Sequence, residues 1–213
     1  GKGALVGAGA GAVASFYRLA LAWAEGKSEA MYGFFRARPG MIPLLFLILA
    51  ASGYLVGLLT KKFPLIRGSG IPQVKGELTG RFDAPWLSTL IAKFAGGAAS
   101  ILAGLSLGRE GPSIQLGAAA ASGIASEWAS SRAERRILVA GGASAGLAAA
   151  FNAPLAGAMF ALEEIYRYIS PTLLTVLIVS AMTGDFVSKM AFGQSPVFSF
   201  NTDAQIPLNL YWL

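Results

Sequence analysis

The chain has 213 residues, 54% of them hydrophobic and only 13% charged, against roughly 25% charged in an ordinary soluble domain; the composition points to a membrane protein. Lysine and arginine outnumber aspartate and glutamate 17 to 11, a formal charge of +6. The basic residues lie in scattered clusters, such as Lys61, Lys62 and Arg67 or Arg132, Arg135 and Arg136, as they do beside membrane helices, and no stretch interleaves them with aromatics to make a nucleic-acid surface. Cysteine and histidine are absent, which excludes disulfides, thiolate sites, Ser/His hydrolysis and the commonest zinc and haem ligand.

Charge-free runs cover residues 39–60, 94–108, 111–126, 137–162 and 168–184. A spanning helix needs about 20 apolar residues, within a range of about 17 to 25. The first and fourth runs suffice outright, the second and last suffice with their flanks, and 111–126 is too short. In chain order, residues 3–24 predict a first spanning helix whose glycines and alanines admit a close neighbour, with Arg18 snorkelling. A polar loop over 25–40 leads to the plainest span, 41–60, and then to the basic, proline-broken exit "KKFPLIRGSGIP". A short segment runs from Pro72 to about Gly80, and a helix from Trp86 to about Leu107 carries Lys93 near its start, where it is expected to snorkel. A short helix over 111–126 begins at Pro112, "SSRAERR" turns at a surface, and a small-residue helix over 137–151 stops at "FNAP". Helices from Ala153 to Tyr168 and from Pro171 to about Phe192 follow, with Lys189 snorkelling near the end of the second and a loop from Gly193 onward. Alternation of period 2 is nowhere sustained, so a membrane β-barrel is excluded and the fold class is all-α. Both the 25–40 and the 61–75 loops are basic, which leaves the orientation open.

Three places share one pattern inside apolar sequence: "GSGIP" at 68–72, "GREGP" at 108–112 and "FNAP" at 151–154. Proline suits the first helical position, glycine allows the backbone to turn into it, and Ser69 and Asn152 are residue types that cap such starts. A helix of about 14 to 16 residues is roughly 21 to 24 Å long, shorter than the ~30 Å hydrocarbon core. Its first N–H groups are then unpaired within the membrane and carry partial positive charge. Irregular backbone at that depth is tolerated only where it is buried in protein or lines a cavity, and converging helix N-termini there make an anion site. The bland alternative is three surface loops between full spans.

Glu110 stands at one of these starts. A membrane carboxylate costs roughly 3 kcal/mol on insertion scales and is a functional candidate by default; the alternative is a helix-start acid at an interface, ion-paired with Arg109. Glu163 and Glu164 end the fourth charge-free run. Adjacent helical positions diverge by about 100°, so at most one of the two faces an interior path.

These motifs, with "SIQLG" after "GREGP", "AAAFNAPLAGAMFALEE" at 148–164 and a lysine, Lys93, ahead of Glu110 in helical sequence, closely resemble the CLC family of chloride channels and proton/chloride antiporters in order and separation. The resemblance implies a subunit of two inverted-topology repeats in a homodimer, of which residues 1–213 look like the N-terminal transmembrane repeat; the chain is read as trimmed, with the second repeat largely missing. The family's "GIFxP" helix start and anion-binding tyrosine have no match here. Position by position, the resemblance implies an anion bound by Ser69, Gly70, Ile71 and Gly111, with Ser69 offering its hydroxyl. Glu110 is implied as the gating glutamate, whose carboxylate competes with chloride. Glu164 matches the internal proton-transfer glutamate of antiporters, an acid that family channels usually lack, and Ser69 matches chloride-selective members. No metal, catalytic residue or cofactor is implied, chloride being the substrate ion.

The leading expectation is therefore proton-coupled chloride antiport in a multi-pass membrane protein, of the inner membrane if bacterial, with chloride, protons, lipid, a second copy and the missing half as partners. A passive voltage- or proton-gated chloride channel of the same family is the alternative. A membrane-embedded enzyme is remote, because Glu163 and Glu164 diverge on a helix. "GAGAGA" at 7–12 satisfies a loose dinucleotide-binding pattern but lacks the preceding strand that the pattern requires.

Overall fold

The computed structural model describes residues 1–166 and 170–193, and among them all regular structure is helical. The elements are α1 (Lys2–Arg36), α2 (Ile42–Lys62), α3 (Ile71–Leu78), α4 (Trp86–Leu102), α5 (Glu110–Trp128), α6 (Arg132–Phe151), α7 (Pro154–Phe160), a π-helical segment (Ala161–Tyr166) and α8 (Pro171–Phe192). Single 3₁₀ turns at Pro39–Met41 and Pro64–Ile66 lead into α2 and towards α3. By length and apolarity α1, α2 with its 3₁₀ turn, and α8 suffice to cross a membrane. The expected loop from Gly193 onward falls almost wholly outside the described residues.

Several boundaries differ from the sequence expectation, each for a local reason. The segment 25–36, expected as loop, continues α1, because Glu, Lys, Ala and Met favour helix and proline first appears at Pro39. α4 stops at Leu102 rather than Leu107. There Gly104 takes a left-handed φ of 88°, and the N–H groups of Gly104 and Leu105 donate to the Ile101 and Ser100 carbonyls at 2.8 and 3.1 Å, a Schellman ending. α6 begins at Arg132, because Ser131 caps it by accepting the Glu134 N–H at 3.1 Å. Asn152, expected to cap the start at "FNAP", instead ends α6 in the left-handed region at φ 56°, and Ala153 precedes α7. Of the expected helix 153–168, α7 and the π segment cover Pro154–Tyr166, and residues 167 and 168 lie outside the described residues.

Small residues set the packing. α1 and α8 run parallel with glycine against serine or glycine: a Cβ at Gly7 would lie 2.5 Å from the Ser180 carbonyl oxygen, and one at Gly11 would lie 2.6 Å from Gly184 Cα. "GAGAGA" is thus a helix-packing seam. α5 and α6 pack antiparallel through Gly117 on Gly142 and Gly146, and through Gly146 on Ser113. Residues 138–150 of α6 are all buried, with neighbours that include Val74, Ile114, Leu162, Ile165 and Leu177. α2 buries no residue, as befits a helix apolar on all sides in a lipid setting.

Candidate anion site

Two helix starts meet. α3 starts at Ile71 after Gly70, which has φ 95°, a conformation that favours glycine. A Cβ at Gly70 would also lie 2.5 Å from Gln115 Oε1. α5 starts at Glu110, and a Cβ at Gly111 in its first turn would lie 2.6 Å from the Ser69 carbonyl oxygen and 2.8 Å from Ser69 Cβ. The first turns of α3 and α5 therefore touch, and both bring unpaired N–H groups and the positive ends of their dipoles to one place. Pro112 is the third residue of α5 rather than its first; its missing N–H still belongs to the set without intrahelical partners. α7 packs on α6, α8 and the π segment, so the meeting is of two starts rather than of the three with similar sequence.

The loop that enters α3 is held from two other helices. Lys93 on α4 is only 5% exposed, and its ammonium donates to the Ile66 carbonyl at 3.0 Å and the Gly68 carbonyl at 2.7 Å. Snorkelling is thus corrected: the lysine points inward, satisfying the carbonyl of buried Ile66 and also that of Gly68, a more exposed turn residue. Gln115 on α5 donates through Nε2 to the Leu65 carbonyl at 2.7 Å. With the carbonyls of 65, 66 and 68 drawn to one side, the chain turns into α3 with the first N–H groups of that helix lacking intrahelical acceptors. Ser69 Oγ lies 3.4 Å from the Ile71 N–H and accepts from it. Neither Gln115 nor the inward role of Lys93 was anticipated; a lone lysine in the first half of an apolar helix was the available signal.

The expected site residues divide as follows. Ser69, Gly70, Ile71, Glu110 and Gly111 come together at the α3–α5 meeting. Ser69 is exposed, Ile71 and Glu110 are partly exposed, and Gly70 and Gly111 are buried, so the described residues form one wall of a site rather than a closed cavity. The Glu110 carboxylate lies back against Gly108 and has no hydrogen bond or ion pair among the described residues. The alternative of a Glu110–Arg109 ion pair is therefore not what the structure holds. Glu164 is elsewhere, in the π segment, with its carboxylate 3.7 Å from the Lys75 ammonium of α3. Glu163 is exposed and Glu164 partly so, as divergent neighbours should be. The other expected snorkellers also find partners: Lys189 pairs with Asp185 at 2.6 Å, and the Arg18 guanidinium lies 4.2 Å from the centre of the Phe192 ring.

Residues 52–213 match the family model described as voltage gated chloride channel. The chain belongs to that family. CLC proteins are transporters and channels rather than enzymes, and the chain is accordingly a membrane protein. The H(+)/Cl(-) exchange transporters ClcA of Citrobacter koseri and Salmonella arizonae are each 37% identical over 177 residues, covering 80% of this chain and 37% of the relative. A slow cyanobacterial Cl-/H+ antiporter superposes with a TM-score of 0.83 at 31% identity, over 99% of this chain and 51% of that one. A eukaryotic CLC transporter gives a TM-score of 0.74 at 26% identity, over 94% and 39%. The CLC chain described here thus spans well under half the length of the exchange transporters it matches.

Proposed function

We propose that this CLC chain forms the first half of a pathway for proton-coupled chloride antiport, as the N-terminal repeat of a subunit whose second repeat supplies the remaining wall. The observation that carries the reading is the contact of Gly111 with Ser69, which joins two helix N-termini beside an unpaired carboxylate. A chloride ion held there accepts N–H groups of α3 and α5 and the Ser69 hydroxyl, with Gly70, Ile71 and Gly111 as the backbone contacts. The Glu110 carboxylate is the other anion that fits those donors. Ionised, it competes with chloride; protonated, it is neutral, loses that attraction and leaves the place to the ion. One residue then exchanges a proton for a chloride, which is the coupling antiport needs. Glu164 serves as the proton relay on the other side, and the chloride/proton exchange named for the ClcA relatives agrees with this. The homodimer and its lipid surroundings belong to the same proposal. The exposed apolar side chains of α7 and α8, among them Leu155, Met182, Phe186 and Met190, suit contact with lipid or with a second copy.

The full-length protein reconstituted in liposomes tests the reading. A chloride gradient should drive protons uphill in the unsubstituted protein, and Glu164→Val should keep chloride flux while losing that proton movement. Equal proton coupling with and without Glu164 would contradict the relay, and chloride flux without any proton movement in the unsubstituted protein would favour a passive channel.

A further inference from the structure

The last turn of α3, the loop that follows it and the first two turns of α6 line a cavity of about 370 Å³, whose polar walls are Glu77, Gly80, Asp83, Arg132, Arg135 and Arg136. Three guanidiniums face two carboxylates there, and both carboxylates belong to one of the three. Arg135 lies 3.7 Å from Glu77 and 3.8 Å from Asp83, and it also donates to the Ser122 hydroxyl at 2.8 Å. Glu134, the other acid of those turns, is taken by Lys2 at 2.8 Å. The side chains of Arg132 and Arg136 are left with no hydrogen bond or ion pair among the described residues.

These two arginines are placed to act together. They are four residues apart on α6, hence on one face, and both are exposed. The Arg136 guanidinium lies across the Gly80 turn, where φ is 74° and a Cβ would stand 2.5 Å from Nη2. Each guanidinium is a planar fork of N–H donors that matches two oxygens of one phosphate. The cavity also lies at the edge of the membrane. Four of the five residues 132–136 are charged, which the hydrocarbon core does not tolerate. Exposed Trp128 ends α5, and exposed Trp86 packs on Gly123 of the same helix; indoles favour the headgroup level.

We propose that this cavity binds a phosphate group between the Arg132 and Arg136 guanidiniums, supplied by an acidic lipid headgroup or by soluble phosphate. Arg135 stays with Glu77 and Asp83 and contributes charge rather than a fork. Basic pockets beside the ends of membrane helices hold acidic headgroups in this way. The site uses none of the residues at the α3–α5 meeting and stands apart from the antiport reading.

The test uses the full-length protein in detergent. Phosphatidic acid or diacylglycerol, which differ by the phosphate, is added and the retained lipid is counted by native mass spectrometry; inorganic phosphate is titrated separately by calorimetry at constant chloride. The parent should retain phosphatidic acid over diacylglycerol. Arg132→Gln combined with Arg136→Gln should lower that retention about tenfold or more, whereas Lys61→Gln combined with Lys62→Gln, which removes the same charge from the exposed end of α2, should leave it unchanged. Inorganic phosphate bound by the parent and lost in the arginine pair would support the site with a soluble source; loss of lipid retention alone would support it with the headgroup as source. Equal binding of both probes by the parent and the arginine pair would overturn the proposal, as would an equal loss in the lysine pair, which would make the effect one of net charge.

Discussion

Gly111 and Ser69 touch across the first turns of two short-range motifs that are about forty residues apart, and the contact leaves no room for a side chain: a Cβ at Gly111 would lie 2.6 Å from the Ser69 carbonyl oxygen. Backbone meets backbone here, so neither partner can rotate away. Gly111→Ala should therefore push α5 off the α3 turn, at a cost of about 1–3 kcal/mol for overpacking, and should lower both the melting temperature in detergent and the chloride flux of the full-length protein. Unchanged flux in Gly111→Ala would mean that the close approach is not needed for transport.

Lys93 supplies the donors for two carbonyls of the α3 entry loop. Lys93→Met keeps the length of the side chain and removes the donors. Leaving the carbonyl of buried Ile66 unpaired costs on the order of 1–3 kcal/mol, whereas water can reach that of exposed Gly68, so the variant should melt earlier and bind chloride more weakly by calorimetry, while Lys93→Arg should keep most of both. Equal chloride affinity in Lys93→Met and the parent would show that the loop holds its shape through Gln115 and packing alone.

Glu134 stands at the start of α6, outside the spans. The Lys2 ammonium, which donates to its carboxylate at 2.8 Å, and the Ser130 N–H at 2.7 Å hold its carboxyl below the usual carboxylate range. A carboxyl whose folded value is depressed adds stability above its unfolded value and loses it as the pH falls through the folded one. The melting temperature of Glu134→Gln should accordingly lie slightly below that of the parent at neutral pH and equal it at about pH 3, below the ordinary carboxylate range. A difference that persists there would assign the effect to packing rather than charge.

Much of this was legible in the sequence because the signals are local. Uncharged length marked α2 and α8, and glycine with proline marked the starts of α3 and α5. What was hidden depends on pairing at long separation. Lys93 has the composition of a snorkelling residue and becomes an inward donor only because residues 65–68 fold beneath it. Asn152 is a cap type, but its left-handed backbone closes α6 rather than opening α7. Residues 25–36 are polar and were expected as loop, yet polarity does not oppose helix where no proline or left-handed glycine intervenes. Lys75 drew no attention, since a lysine in a helix's last turn is ordinary until the π segment places Glu164 beside it.

The central claim is that Glu110 and chloride compete for one set of helix N-termini. It is tested most directly by Glu110→Gln in the full-length protein, reconstituted in liposomes with chloride and proton movement measured together. The amide resembles the protonated acid in shape and lacks its exchangeable charge, so chloride flux should persist while chloride-driven proton movement disappears. Proton movement against its gradient in Glu110→Gln would contradict the account.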